Sequence, residues 1–249
     1  PFEFFAEIAN KFLPSVLGFV HLLIRFKFKI WSTYFRTGHF ITHKLTMDSL
    51  LIQNIVHNPD FQTFWKQYDF LEISDLTELL SIGKIIHIPK NEHFLKAGDY
   101  TKKVGMIMNG LIRFYHLKDG EEYNIIFKHE LQMVSSFECI ILNQPSSYSF
   151  EALEDTSLMV YDYEEMEALF SKNHQLERFG RYFIQQELAQ AIKFYEGHLF
   201  YSPEERYLKF IEKYPNLMNR VPLKHLSSFL GVTPVSLSRI RKRVSENKH

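Results

Sequence analysis

A length of 249 residues is too great for one small module and suits two domains. The single cysteine, Cys139, excludes an intramolecular disulfide and a cysteine-held metal or iron–sulfur cluster, and points to a reducing cytoplasm. Lys plus Arg and Asp plus Glu cancel to a formal net charge of zero, but residues 203–249 carry +6, residues 47–202 carry −10 and residues 1–46 carry +4.

Residues 1–46 hold one apolar run, Phe12 to Ile24, interrupted by Pro14 and His21, and then the alternation FKFKIW. The run is too short to span a bilayer, and no small-residue cleavage site follows it. These residues read as an upstream extension with little fold of its own ahead of Met47, the first methionine; a helix lying on a membrane surface is the alternative. From Leu50 to Leu80 the apolar groups Ile52, Ile55, Phe61, Phe64, Trp65 and Leu71 have helical spacing.

Between Gly83 and Tyr163 the texture becomes short β-rich runs: IIHI, VGMIM, LIRFYHL, YNIIF and SLMVYDY. Ala97-Gly98-Asp99, Asn109-Gly110 and Asp119-Gly120 punctuate them, and the last two dipeptides are strong hairpin signals. Repeated hairpins predict an antiparallel barrel or roll.

Helical spacing returns with YEEMEALF and then with a long helix from Asn173 to Leu199, carrying Leu176, Phe179, Phe183, Leu188, Ile192, Tyr195 and Leu199. A helix of about 26 residues would run nearly 40 Å, more than a small roll can cover. Its remaining stripe either packs wholly on the chain's own roll or pairs two copies in a homodimer. Ser202-Pro203-Glu204 reads as a hinge and a new helix start.

Residues 223–243, LKHLSSFLGVTPVSLSRIRKR, read as two short helices and a tight turn. Leu223, Leu226 and Leu230 share one face, and Leu237, Ile240 and Val244 repeat the period. Gly231 can supply a positive φ, Val232 can plug the angle between the helices, and Thr233-Pro234 forms an N-cap and N1 pair. Ser236, Ser238, Arg239, Lys242 and Arg243 remain to face a phosphate-lined groove. The plainer alternative is a helical hairpin with a solvated basic face. The +6 of this segment favours a nucleic-acid-binding end, since phosphate neutralisation supplies most non-specific affinity for DNA. No Gly-rich phosphate loop, paired-His zinc motif or Gly-x-Ser-x-Gly elbow occurs, and the carboxylates and histidines are scattered, so no catalytic residue, metal site, cofactor or enzyme activity is expected.

The order of parts is recognisable. The run GKIIHIPKNEHFLKAGDYTKKVGMIMNGLIRFYHLKDGEE, a long helix, SPEERYLKFIEKYPNLMNRVP and LGVTPVSLSRIRK together closely resemble the CRP/FNR family of bacterial transcription regulators, over about residues 50–245. SPEERY and LGVTPVSLSRIRK resemble its Bacteroidetes-type branch. The resemblance implies an α+β chain: an antiparallel β-roll of the cyclic-nucleotide-binding jelly-roll type over residues 47–172, a dimerisation helix and hinge over 173–202, and a winged-helix-like helix-turn-helix domain over 203–249. It implies duplex DNA with a two-fold symmetric site, RNA polymerase and a second copy as partners, and an unknown small-molecule effector.

Members of that family that bind cyclic AMP carry Gly-Glu and, several residues on, Arg-Ser-Ala; the Glu holds the ribose and the Arg pairs with the cyclic phosphate. Here the stretch is VSSFECIILNQPSSYSFEALED. Glu138 stands near the Glu position, Ser146 replaces the Arg, Ser147 follows it, and Tyr148 replaces the Ala. No arginine occurs between Arg113 and Arg178, so cyclic AMP is not the expected effector. Phe137, Tyr148 and Phe150 suggest an apolar filling. A cyclic-nucleotide-responsive regulator with an unorthodox pocket, and a protein-interaction module with a membrane-associated N-terminus, are the rival readings. In the DNA-binding half the resemblance puts Arg239 at a base-reading position. Val235 is placed to meet a thymine methyl, Ser236 and Ser238 to allow close approach, and Lys224, Thr233, Lys242 and Arg243 to contact phosphate.

Overall fold

The computed structural model describes residue 63 and residues 66–246, so the expectations for residues 1–46 and most of the Leu50–Leu80 helix lie outside the described residues. The chain divides into two compact units, Pro1–Ile82 and Gly83–His249. In the first, helix α1 spans Ile73–Ile82, and the Asp75 carboxylate accepts the backbone N–H of Glu72 at its start.

The second unit opens with eight strands: β1 (Lys84–Ile88), β2 (His93–Leu95), β3 (Lys103–Asn109), β4 (Ile112–Lys118), β5 (Glu121–Lys128), β6 (Met133–Val134), β7 (Ser149–Ala152) and β8 (Thr156–Asp162). They form two four-stranded sheets, ordered β1-β8-β3-β6 and β2-β7-β4-β5, with every pairing antiparallel. This is a jelly roll. Of the two expected hairpins one forms: Asp119 and Gly120 take φ of 54° and 81° between the paired strands β4 and β5, whereas Asn109-Gly110 turns the chain from one sheet to the other, because β3 and β4 pair with different partners. Gly110, with φ 115°, joins β3 to β4, and a Cβ there would lie 2.7 Å from the Thr156 Cα. A side chain at that position is barred by sterics as well as by backbone angle.

Alternation along the strands sends Ile88, Leu95, Ile107, Ile112, Phe150, Leu158 and Val160 into the space between the sheets. Phe114 stacks on Phe150 with ring centroids 3.8 Å apart. A four-residue helix, α2 (Phe137–Ile140), precedes β7 and is capped by the buried Ser136, whose hydroxyl accepts from the Cys139 N–H.

Helix α3 (Tyr163–Phe170) begins at the N-cap Asp162. Helix α4 (His174–Phe200) begins at Asn173, whose side chain accepts from the N–H groups of Gln175 and Leu176. Its first turns bury Leu176, Phe179 and Phe183. Farther along, Lys128 of β5, its side chain 5% exposed, is paired with Glu187. Ser202 and Glu205 form a reciprocal capping box at the start of α5 (Pro203–Lys213). A 3-10 turn, Pro215–Leu217, leads to α6 (Leu223–Phe229) and α7 (Pro234–Glu246). No strand follows β8 among the described residues, so the wing of a winged helix is not seen there.

Helices α5 to α7 share a core of Tyr207, Phe210, Leu217, Val221, Leu226, Leu230, Leu237, Ile240 and Val244. Leu111, Phe127 and Leu153 of the roll belong to the same core, so the C-terminal helices are packed directly on the outer side of the second sheet.

Candidate functional site

Two places could carry function: the cassette between β6 and β7, and the surface of α7. In the cassette, α2 and the extended segment before β7 bring Glu138 and Ser147 together. One carboxylate oxygen of Glu138 accepts the Ser147 backbone N–H at 2.6 Å and the other accepts the Ser147 hydroxyl. The amide and hydroxyl that could hold an anion are therefore held by the chain's own carboxylate. Ser146 is buried; its hydroxyl donates to the Tyr148 carbonyl at 3.0 Å, and its backbone pairs with Gly98 and Asp99. Ser146 thus closes a loop and presents no charge.

The expected apolar filling is not formed by the three aromatics together. Phe137 points outward at 52% exposure, and Phe150 is committed to the inter-sheet core against Phe114, because Phe150 faces inward in the β7 alternation. Tyr148 alone packs partly over that core, its ring 5.8 Å from His116.

The nearest preceding arginine, Arg113 on β4, is 3% exposed and fully engaged. Its Nε and one terminal nitrogen donate to Glu151 of β7, the other terminal nitrogen donates to Glu122 at 2.8 Å and to the Asn124 side chain at 3.2 Å, and the guanidinium lies 4.0 Å from the Tyr115 ring centroid. The Arg113 hydrogen bond holds the Glu122 carboxyl below its ordinary value. Sequence reading passed over this buried network. Its signal was faint, since it depends on Glu151 falling directly opposite Arg113 in the β4–β7 register.

On α7 the apolar face is buried through Leu237, Ile240 and Val244, and the opposite face is open. Gly231 takes φ 67° in the turn after α6, as its position predicts. Thr233 caps α7, accepting the Ser236 N–H at 3.2 Å and donating to the Ser236 hydroxyl at 3.0 Å. Val235 is 60% exposed, and Ser238 is exposed with its hydroxyl turned back to the Pro234 carbonyl at 3.0 Å. Arg239 is exposed and carries no ion pair among the described residues. Arg241, not singled out from the sequence, is exposed in the same way. Lys242 has a 3.8 Å contact with Glu246. Arg243 donates twice to the Glu204 carboxylate at the start of α5, at 2.6 and 3.0 Å, which draws it back toward its own domain. Lys224 is exposed on α6.

Apart from these two places, a stripe on α4 is open to solvent: Ile184, Leu188, Ile192, Tyr195 and Leu199, each more than half exposed. From Leu188 the spacing is four, three and four, which is that of a two-helix seam. Among the described residues no group of three or more His, Cys, Asp or Glu is placed to hold a metal, and no helix is long and apolar enough to cross a membrane.

No relative is found among curated protein sequences. Solved structures of similar fold include FixK2 from Bradyrhizobium japonicum, with 16% identity, a TM-score of 0.60, and 67% of this chain and 86% of that one covered. The c-di-GMP-responsive global regulator CLP of Xanthomonas campestris is similar at 13% identity and a TM-score of 0.57, with 71% and 93% covered. A putative CRP/FNR-family regulator from Eubacterium rectale is similar at 14% and 0.57, with 72% and 86% covered. Residues 85–173 match the cyclic nucleotide-binding domain family, and the fold of the chain is similar to that of those three structures.

Proposed function

We propose that this chain is a sequence-specific, DNA-binding transcription regulator of the CRP/FNR type, acting as a cytoplasmic homodimer and not controlled by cyclic AMP. In this reading residues 47–172 sense, 173–202 dimerise and 203–249 bind DNA, with RNA polymerase as a further partner and an effector of unknown chemistry. The observation that carries it is the α6–α7 pair: a capped helix with a buried apolar face whose opposite, open face presents Val235, Ser238, Arg239 and Lys242. The exposed α4 seam supports the dimer, because a two-fold axis along it would set two such helices toward adjacent turns of a duplex.

Selection from random duplexes tests it. The parent chain is expected to enrich a two-fold symmetric site. Arg239→Ala is expected to cost about 1–3 kcal/mol on that site and to relax one base position, as loss of an arginine–guanine pair does. Lys242→Ala is expected to weaken specific and random duplexes alike and to lower the salt slope by about one. Identical behaviour of the two variants on both kinds of DNA would reverse these roles.

Calorimetry separates the rival reading of an unorthodox cyclic-nucleotide pocket. Ser147 is already satisfied by Glu138 and Arg113 is locked in its own network, so a cyclic phosphate would have to displace the Glu138 carboxylate without gaining a guanidinium. Titration of cyclic AMP or cyclic GMP is expected to give no saturable heat. A saturable isotherm abolished by Ser147→Ala would establish the pocket.

A further inference from the structure

Residues 230–233 separate α6 from α7, and the carbonyls around the end of α6 need donors. Those of Leu226, Ser227 and Ser228 accept the N–H groups of Leu230, Val232 and Gly231 at 3.0, 2.9 and 3.0 Å. The Leu230 carbonyl has no such recourse, because the residue four positions on is Pro234, which has no N–H to give. Arg206 of α5 supplies the donor instead. Its Nε and one terminal nitrogen donate to the Leu230 carbonyl at 3.2 and 2.8 Å, and the other terminal nitrogen donates at 2.7 Å to the carbonyl of Tyr201, the C-cap of α4. The guanidinium lies against the turn itself, since a Cβ on Gly231 would stand 3.5 Å from it.

The same turn of α5 also reaches α7. Glu204 accepts from Nε and a terminal nitrogen of Arg243 at 3.0 and 2.6 Å, and the Ser202–Glu205 capping box fixes where this turn begins. The body of α6 is secured separately. Strand β5 is an edge of the second sheet, and the Ser228 hydroxyl donates to its Glu122 carbonyl at 2.9 Å and accepts its Asn124 N–H at 3.0 Å. The C-terminal end of α6 is left to Arg206, and the far part of α7 to Glu204.

We propose that Arg206 and Glu204 are positioning residues for DNA reading: the first turn of α5 is a bracket that sets the angle between α6 and α7, and with it the aim of Val235 and Arg239 at base edges. The proposal rests on the DNA-binding reading above and adds to it two residues that touch no base. Base readout by a bidentate arginine demands alignment, whereas attraction to phosphate depends on charge and tolerates tilt. Loosening the bracket therefore lowers discrimination between sequences and leaves non-specific binding and its salt dependence in place. Arg243, suited to phosphate by its charge, is in this arrangement spent inside its own domain.

The test titrates the full chain carrying Arg206→Met, Arg206→Lys or Glu204→Gln with a selected duplex and with random duplex across a salt series, while thermal melting reports the fold. The readout is the ratio of the two affinities, in which the loss of a charge and any loss of folded protein cancel. Arg206→Met is expected to lower that ratio about tenfold and Glu204→Gln about threefold, both with the salt slope unchanged. Arg206→Lys, which keeps one donor for the Leu230 carbonyl but not the planar fork, is expected to recover part of the loss. If Arg206→Met does not fold, Glu204→Gln carries the test by itself. A ratio equal to the parent's in the folded variants would overturn the bracket while leaving DNA binding intact. So would a Glu204→Gln variant that binds both duplexes more tightly with a steeper salt slope, since that outcome assigns Arg243 to phosphate. A parent chain that enriches no duplex would instead overturn the DNA-binding reading, and the bracket with it.

Discussion

Replacing Leu188 and Ile192 together with glutamate is expected to convert the chain to a monomer and to lower affinity for a two-fold symmetric duplex by about 10² to 10⁴. Both side chains are more than half exposed on α4, one helical turn apart, and make no part of the buried face formed by Leu176, Phe179 and Phe183. The substitutions therefore leave the fold of the protomer unburdened while setting four like charges across the seam of a pair of copies. The size of the loss follows from linkage: in a dimer the second recognition helix binds at the high effective concentration set by the first, and a monomer forfeits that gain without losing a single base contact. Sedimentation measures the first half of the expectation and operator titration the second. A variant that stays dimeric would place the two-fold axis elsewhere, and a monomer with unchanged affinity would remove the need for two half-sites.

Glu151→Ala is expected to destabilise the second unit by about 3–5 kcal/mol, the usual cost of stranding a buried charge. Arg113 is almost wholly buried, and Glu151 takes two of its donors from a side chain itself only 12% exposed. Glu122, at 29% side-chain exposure, would be the remaining carboxylate partner. The penalty comes from the guanidinium left behind more than from the attraction lost, so Arg113→Met combined with Glu151→Leu is expected to recover most of it. Denaturant unfolding of the single and paired variants, analysed as a double-mutant cycle, separates the two. A cost under about 1 kcal/mol for Glu151→Ala, typical of a surface pair, would contradict the burial of the network.

The parts of this molecule that were legible in the sequence are those whose signals are local. Asn173 and Ser202-Pro203-Glu204 mark helix starts because a capping side chain acts within three residues of itself, and YEEMEALF corresponds to α3 residue for residue. Asp119-Gly120 gave the β4–β5 hairpin for the same reason. Strands β2, β6 and β7, of two to four residues, are too short to show a period and exist only through partners distant in sequence. The Arg113 network and the Ser228 contact escaped on the same ground: each joins residues tens of positions apart, more than a hundred for Ser228. Where the sequence suggested a pocket filled by aromatics, side-chain alternation in β7 decided otherwise and sent Phe150 inward. That no arginine stands between Arg113 and Arg178 was plain from the residues alone. That Glu138 would turn onto Ser147 was not, because it depends on how a four-residue helix is oriented.

The hydroxyl at the edge of β5 has one more consequence, which concerns solubility. Most sheets guard an exposed edge with charges, prolines or bulges that belong to the strand itself, because an open ladder invites another chain to pair with it. Here the guard is a neighbouring helix, and the strand beneath it still displays Tyr123 and Ile125, each at least 37% exposed. Whenever that helix lifts, a free N–H and a free C=O face outward together. A roll cut away from its C-terminal helices would therefore be an adhesive fragment, and the intact chain keeps its own edge quiet with the Ser228 hydroxyl of α6, which donates to the Glu122 carbonyl and accepts the Asn124 N–H.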